Sequence, residues 1–254
     1  MSILLKNISA GYDRFRLKDI NLEIKTGSLT ALIGPNGCGK STLLKTIARI
    51  LPAGNGRVEI GGKNITAERT KAVARKVAVL PQHPVVPPGI TVQQLVGYGR
   101  APHQNLLGFK TDKGHEMIEQ ALATVSLLDM RSQLVSELSG GQRQRAFVAM
   151  SIAQDTPYFL FDEPTSFLDI RYQYEVLDLL RDLNSKGRTC VVVLHDIAQA
   201  ARYATDLVVM KDGAIHSRGA PADVITPQIV EQVYNIKAHV YSDPVSDTAV
   251  VSPL

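Results

Sequence analysis

Ile3 to Ser9 alternates apolar and polar side chains, the period of a strand with one face buried. Ile20 to Lys25 repeats that alternation after a turn at Gly11–Asp13. Leu29 to Ile33 is a short, mainly apolar run ending at Gly34, the pattern of a strand covered on both faces. A Gly-rich loop follows, then helical spacing from Ser41 to Ile50, stopped by Pro52 and Gly54. Val58–Ile60 and Val77–Leu80 predict strands, with a short helix at Thr70–Arg75 between them. After Pro81 the Pro-rich stretch PQHPVVPPGI reads as a connector. From Thr91 to about Thr156 the spacing is helical, broken by a loop near Gly99–Gly108. Strand patterns return at Tyr158–Phe161, Thr189–Leu194 and Leu207–Met210, alternating with helices at about Ile170–Ser185 and Asp196–Ala204. Asp243–Leu254 is small and polar and is expected to fray.

Strand–helix alternation on both sides of an all-helical block predicts one α/β core with a helical insertion. The boundaries fall at 1–88 and 158–240 for the core, 89–157 for the helical block and 241–254 for the tail. Composition changes this picture little. The chain has 254 residues, 44% hydrophobic and 20% charged, ordinary for a globular domain that buries its own core. A net charge of +4 is too weak to argue for a nucleic-acid partner. Two cysteines, Cys38 and Cys190, point to a reduced compartment rather than a disulfide framework. The start MSILLKNISAGYDRF lacks a signal-peptide pattern, and the longest apolar runs are strand-sized, so no membrane span is expected.

The candidate chemistry begins with GPNGCGKS: Gly34, Pro35, Asn36, Gly37, Cys38, Gly39, Lys40 and Ser41, followed by Thr42. It satisfies G-x-x-x-x-G-K-[ST] between a predicted strand and a predicted helix, the context that motif needs. Its glycines let backbone N–H groups wrap a phosphate, and the helix start adds about half a positive charge. Lys40 can reach the β- and γ-phosphates of ATP, and Ser41 can place its hydroxyl on Mg²⁺. YFLFDE supplies a carboxylate for that ion: Asp162 ends an apolar strand, and Glu163 follows as general base or water positioner. LSGGQRQR offers a second phosphate site, where Ser139 caps a helix and Gly140 and Gly141 leave N–H groups bare before Gln142. One small domain cannot wrap both sites around one γ-phosphate, so this loop is expected to act on nucleotide held by a second copy.

In this order, Gly34–Ser41, Leu138–Gln142 and Tyr158–Glu163 resemble the Walker A, signature and Walker B motifs of an ABC-type ATPase, over nearly the whole chain. The resemblance implies a P-loop NTPase: a RecA-like α/β core with N-terminal antiparallel strands and an inserted helical subdomain. It also implies roles. Tyr12 matches the aromatic that stacks on adenine. Gln82 matches the Q-loop glutamine that sees Mg²⁺ or the attacking water, so Ser41, Gln82 and Asp162 form the metal set. Ser166–Asp169 matches the D-loop, with Phe167 where alanine is usual and Asp169 facing the opposite subunit. His195 matches the switch histidine; the other histidines have no metal-site spacing.

The resemblance further implies a head-to-tail dimer with two ATP molecules, separate membrane permease subunits, and a position on the cytoplasmic side of a bacterial inner membrane. Thr91–His103 resembles the iron-siderophore, haem and cobalamin importer group, and LSGGQRQRAFVAM is similar to its ferric-siderophore branch, ferric dicitrate in particular. A periplasmic substrate-binding protein belongs to that layout. The alternatives are an importer of haem, cobalamin or free zinc or manganese, a soluble ABC ATPase, or a silent regulator. The single cassette and the retained Lys40, Glu163 and His195 weigh against the last two.

Overall fold

The computed structural model describes residues 2–12, 15–104 and 112–254. Asp13 of the first expected turn, and 105–108 of the loop expected near Gly99–Gly108, lie outside them.

The central sheet runs, in spatial order, Ala214–Gly219, Asp206–Lys211, Leu29–Ile33, Thr189–Val193, Tyr158–Asp162 and Val77–Leu80. The first is an antiparallel edge strand, and the remaining pairs are parallel. Leu29–Ile33, Tyr158–Asp162 and Thr189–Val193 are buried at every position, so their apolar runs have two faces to fill. Alternate residues divide between two cores. Ala31, Phe159, Phe161, Cys190 and Val192 face one, with Leu138, Phe147, Leu177 and Leu180. Leu32, Leu160, Val191 and Val193 face the other, with Leu43, Leu44 and Ile47.

That second core is closed by an antiparallel sheet in the order Ile20–Lys25, Ser2–Ser9, Asn55–Ile60 and Lys63–Asn64. Its strands bury one face, as their alternation requires: Leu5, Leu22, Ile24, Val58 and Ile60 point inward. Between Leu80 and Tyr158 the described residues form helices and short 3₁₀ turns but no strand; the longer helices are Val92–Tyr98, Asp112–Thr124 and Gly140–Ala153. These three pack on one another, and the last also meets Val77–Leu80.

Two expectations need correction. The helix after the Gly-rich loop ends at Ile47, not Ile50. Arg49 turns left-handed (φ 58°) so that its guanidinium can donate to the carbonyls of Ile65 and Glu68 and to Thr70 Oγ1, and Ile50 is left 61% exposed. The tail does not fray. Ala249–Pro253 pairs antiparallel with Ala238–Ser242, and Ala249 and Val251 pack onto the first core. The small polar residues form the turn between those strands, where Asp243 Oδ1 accepts from the N–H groups of Val245 and Ser246.

Deleting residues 249–254 should therefore destabilise the protein by about 2 kcal/mol. That corresponds to roughly 4–8 °C in Tm by calorimetry. An unchanged Tm would show that this hairpin contributes nothing to the core.

Candidate functional site

Four parallel strands release their chains at one edge of the sheet: Ile33 into the Gly-rich loop, Leu80 toward Gln82, Asp162 into Glu163, and Val193 toward His195. Their ends are in register, with Val193 opposite both Leu32 and Asp162. Strand order reverses beside Leu29–Ile33, the place where open α/β sheets gather ligands.

The loop needs glycine for two separate reasons. Gly34 (φ 144°) lies so close to the Met210 carbonyl that no Cβ fits. Gly39 (φ 110°) starts the helix Lys40–Ile47, and a Cβ there would stand 2.8 Å from both Leu17 and Phe15. The Lys40 ammonium is buried and compensated by the loop itself, donating to Gly34 O (2.8 Å) and Pro35 O (2.9 Å). Cys38 is buried, and burial pushes its thiol pKa up, so what it can offer a ligand is its backbone. Asn36 and Gly37 are exposed at the tip, whereas Thr42 is buried and its carbonyl accepts from Thr46 Oγ1.

The carboxylates divide the work. Asp162 is 1% exposed and accepts a 2.7 Å hydrogen bond from Ser41 Oγ. Burial pushes its carboxyl above the ordinary range, against the Ser41 hydrogen bond and the charges of Lys45 and Lys40. A hydroxyl and a carboxylate are hard oxygen donors, the few-ligand set that suits Mg²⁺. Glu163 adopts a left-handed backbone (φ 53°), costly for a residue with a Cβ. Its side chain meets three donors: Oε2 accepts from Gln82 Nε2 (2.6 Å) and Ser166 Oγ (3.0 Å), and Oε1 pairs with His195 Nε2 at 2.7 Å. Burial pushes its carboxyl up, but the hydrogen bonds from His195 and Ser166, the His195 charge and the Gln82 bond outweigh that and hold it below its usual range. The Gln82 amide nitrogen is thus engaged by the Glu163 carboxylate.

Lys40, Ser41, Asp162, Glu163, Gln82 and His195 therefore converge. The signature segment does not join them: no hydrogen bond or ion pair among the described residues links 138–142 to 34–41. Its helix runs Gly140–Ala153, with Ser139 at the cap. Ser139 Oγ accepts from Gln142 N, and Gln142 Oε1 accepts from Ser139 N, so the Gln142 side chain closes a capping box. Gly141 packs on the Tyr172 ring, whereas a Cβ on Gly140 would meet nothing in this chain. Asp169 is exposed and caps the helix Ile170–Ser185 without a side-chain hydrogen bond. Tyr12 is 54% exposed on the pairing Gly11–Tyr12 with Phe15–Arg16, whose Phe15 ring abuts Gly39.

Sequence reading missed two things. Ser166 was legible only as part of a loop motif, although its spacing of three from Glu163 suits a turn hydrogen bond back to the carboxylate. The segment Gly99–His103 holds the far end of the signature helix. Arg100 donates to Ala153 O (2.7 Å), His103 Nε2 bonds Gln154 O (2.9 Å), and Gly99 lies against the Met150 carbonyl with no room for a Cβ.

Sheet, loop and carboxylate pair define a P-loop NTPase of the ABC ATPase type. The ABC transporter family model matches residues 17–166. The ferric enterobactin transport ATP-binding protein FepC of Escherichia coli (strain K12) is 41% identical over 251 residues, covering 98% of this chain and 93% of that protein. The iron(3+)-hydroxamate import ATP-binding protein FhuC of Bacillus subtilis (strain 168) is 43% identical over 245 residues, covering 96% and 91%. The dimeric post-hydrolysis state of an ATP-binding cassette bound to ADP and Pi superimposes with a TM-score of 0.77 at 28% identity, covering 86% of this chain and 98% of that one. The chain belongs to the ABC transporter family, as an ATP-binding and ATP-hydrolysing cassette. Among its described residues no helix is long and apolar enough to cross a membrane.

Because the folded Glu163 carboxyl lies below its ordinary value, its ionisation stabilises the fold above the unfolded pKa. That contribution is lost as pH falls through the lowered folded value. The stability of wild type relative to Glu163→Gln, from urea unfolding, should decline as pH is taken from about 6 to about 3. A difference that stays constant over that range would mean the three donors do not favour the carboxylate.

Proposed function

We propose that this chain energises an importer for an iron-siderophore-type substrate, working as a head-to-tail pair under separate membrane permease subunits. Its place is the cytoplasmic face of the cell membrane, and the cargo arrives through a substrate-binding protein on the other side. The observation that carries the ATPase mechanism is Glu163, held by Gln82, Ser166 and His195 beside the Ser41–Asp162 pair. The cargo is supported by the transport named for FepC and FhuC.

ATP lies along the loop Gly34–Ser41, its adenine on Tyr12 and its phosphates on the loop N–H groups and the helix start. Lys40 moves from the carbonyls of Gly34 and Pro35 to the β- and γ-phosphates. Ser41, Asp162 and the Gln82 oxygen fit Mg²⁺, which when bound neutralises phosphate charge. Glu163 takes a proton from water as the water oxygen bonds to the γ-phosphorus; the bond to the β-phosphate oxygen breaks and ADP leaves. His195 contacts the γ-phosphate. The partner copy supplies Ser139 and the bare N–H groups of Gly140 and Gly141 to the same phosphate, and Asp169 faces across the interface. Gln142 contributes by holding Ser139 in place. The helical block 89–157 moves against the core and passes that motion to the permeases.

Glu163→Gln should lower turnover by about 10²–10⁴-fold and yield an ATP-dependent dimer in light scattering. Ser139→Arg should abolish hydrolysis while leaving ATP binding to the monomer intact, and normal hydrolysis by that variant would exclude action in trans. Removing the chain from its host should stop uptake of ferric siderophore; loss of cobalamin uptake alone would reassign the cargo.

A further inference from the structure

Two loops meet over Glu163, and each contributes the same pair of elements. Gln82 and Ser166 both donate to one oxygen, Oε2. The residue after each, His83 and Phe167, carries a ring, and the two rings stand 6.1 Å apart at 33°. That spacing lies in the range where aromatic rings attract. Phe167 reaches it from a left-handed backbone (φ 62°) and stays 89% exposed, so core packing does not account for either its conformation or its position. Ser166 N also donates to Glu163 O (3.2 Å), which ties the second loop to the base at backbone level.

We propose that His83 and Phe167 form a latch that closes the loop of Gln82 onto the loop of Ser166 and keeps both donors on Glu163. The inference rests on the reading of Glu163 as the base. While the latch is shut, Oε2 is covered by Gln82 and Ser166 and Oε1 by His195, so neither oxygen is free to take a proton from water. Opening the ring pair lets Gln82 and Ser166 leave together and uncovers Oε2. His83 and Phe167 are positioning residues, since neither touches a reacting atom. Their contact is weak and solvent-exposed, which fits a restraint meant to yield when another surface presses on either loop.

Phe167→Ala should raise the basal ATPase kcat of the full-length protein by about two- to tenfold, the worth of one aromatic pair. The KM for ATP should not change. Phe167→Tyr, which keeps the ring, should restore the wild-type rate. His83→Ala should reproduce the rise, and the double variant His83→Ala/Phe167→Ala should equal either single one rather than their product. An unchanged kcat, or multiplicative effects in the double variant, would sink the latch. A fall in kcat with weaker ATP-dependent dimerisation would make Phe167 a contact to the partner copy instead, and likewise overturns it. Glu163→Gln serves as the control in both backgrounds. If that change leaves turnover intact, the assignment of the base fails, whereas loss of turnover in Glu163→Gln together with an unaltered Phe167→Ala rate condemns only the latch.

Discussion

The hydrogen bond from Ser41 Oγ to Asp162 Oδ1 joins the two halves of this site, and the fold around it exists to make that contact possible. A carboxylate 1% exposed at the end of an all-apolar strand is tolerated only with a partner. The partner arrives because Leu29–Ile33 and Tyr158–Asp162 both lie beside Thr189–Val193 in register. The first strand can then turn into a helix only if Gly34 passes the Met210 carbonyl without a Cβ. A substitution in that turn would move Ser41 relative to Asp162 and break their hydrogen bond.

Much of this was legible from local pattern. Apolar runs ending in Gly34 and Asp162 required a parallel sheet buried on both faces, and the strand Val77–Leu80 and the helix Ile170–Ser185 fall where periodicity puts them. Three things were not legible, for distinct reasons. Arg49 ends its helix early because its guanidinium serves carbonyls 16 and 19 residues away, a tertiary contact that local propensity does not encode. The tail folds because Ala249 and Val251 find a core built by other elements. The grip on Glu163 joins positions 82, 163, 166 and 195, and pattern reading alone cannot reveal that they converge on one carboxylate.

The backbone conformations tell the same story as the hydrogen bonds. Glu163 and Phe167 both adopt left-handed φ, and they bracket Ser166 within five residues of the strand end. Conformations of this kind persist only where surrounding contacts over-determine them. Around Glu163 those contacts are the three donors. Around Phe167, which is 89% exposed, the described residues provide little besides the His83 ring, so the two ends of this short loop differ sharply in how firmly they are held.

The stretch that links this chain most visibly to one group of importers has a structural explanation independent of any cargo. Gly99 admits the Met150 carbonyl, Arg100 caps Ala153 and His103 caps Gln154, so the last carbonyls of the signature helix are satisfied from one segment. Gln154 in turn donates to Ala74 O and Val77 O, at the start of an edge strand of the central sheet. The helix whose first turn carries Ser139, Gly140 and Gly141 is thus anchored at its far end both to the segment following Val92–Tyr98 and to the sheet. A resemblance in these residues is a resemblance in how the signature helix is mounted.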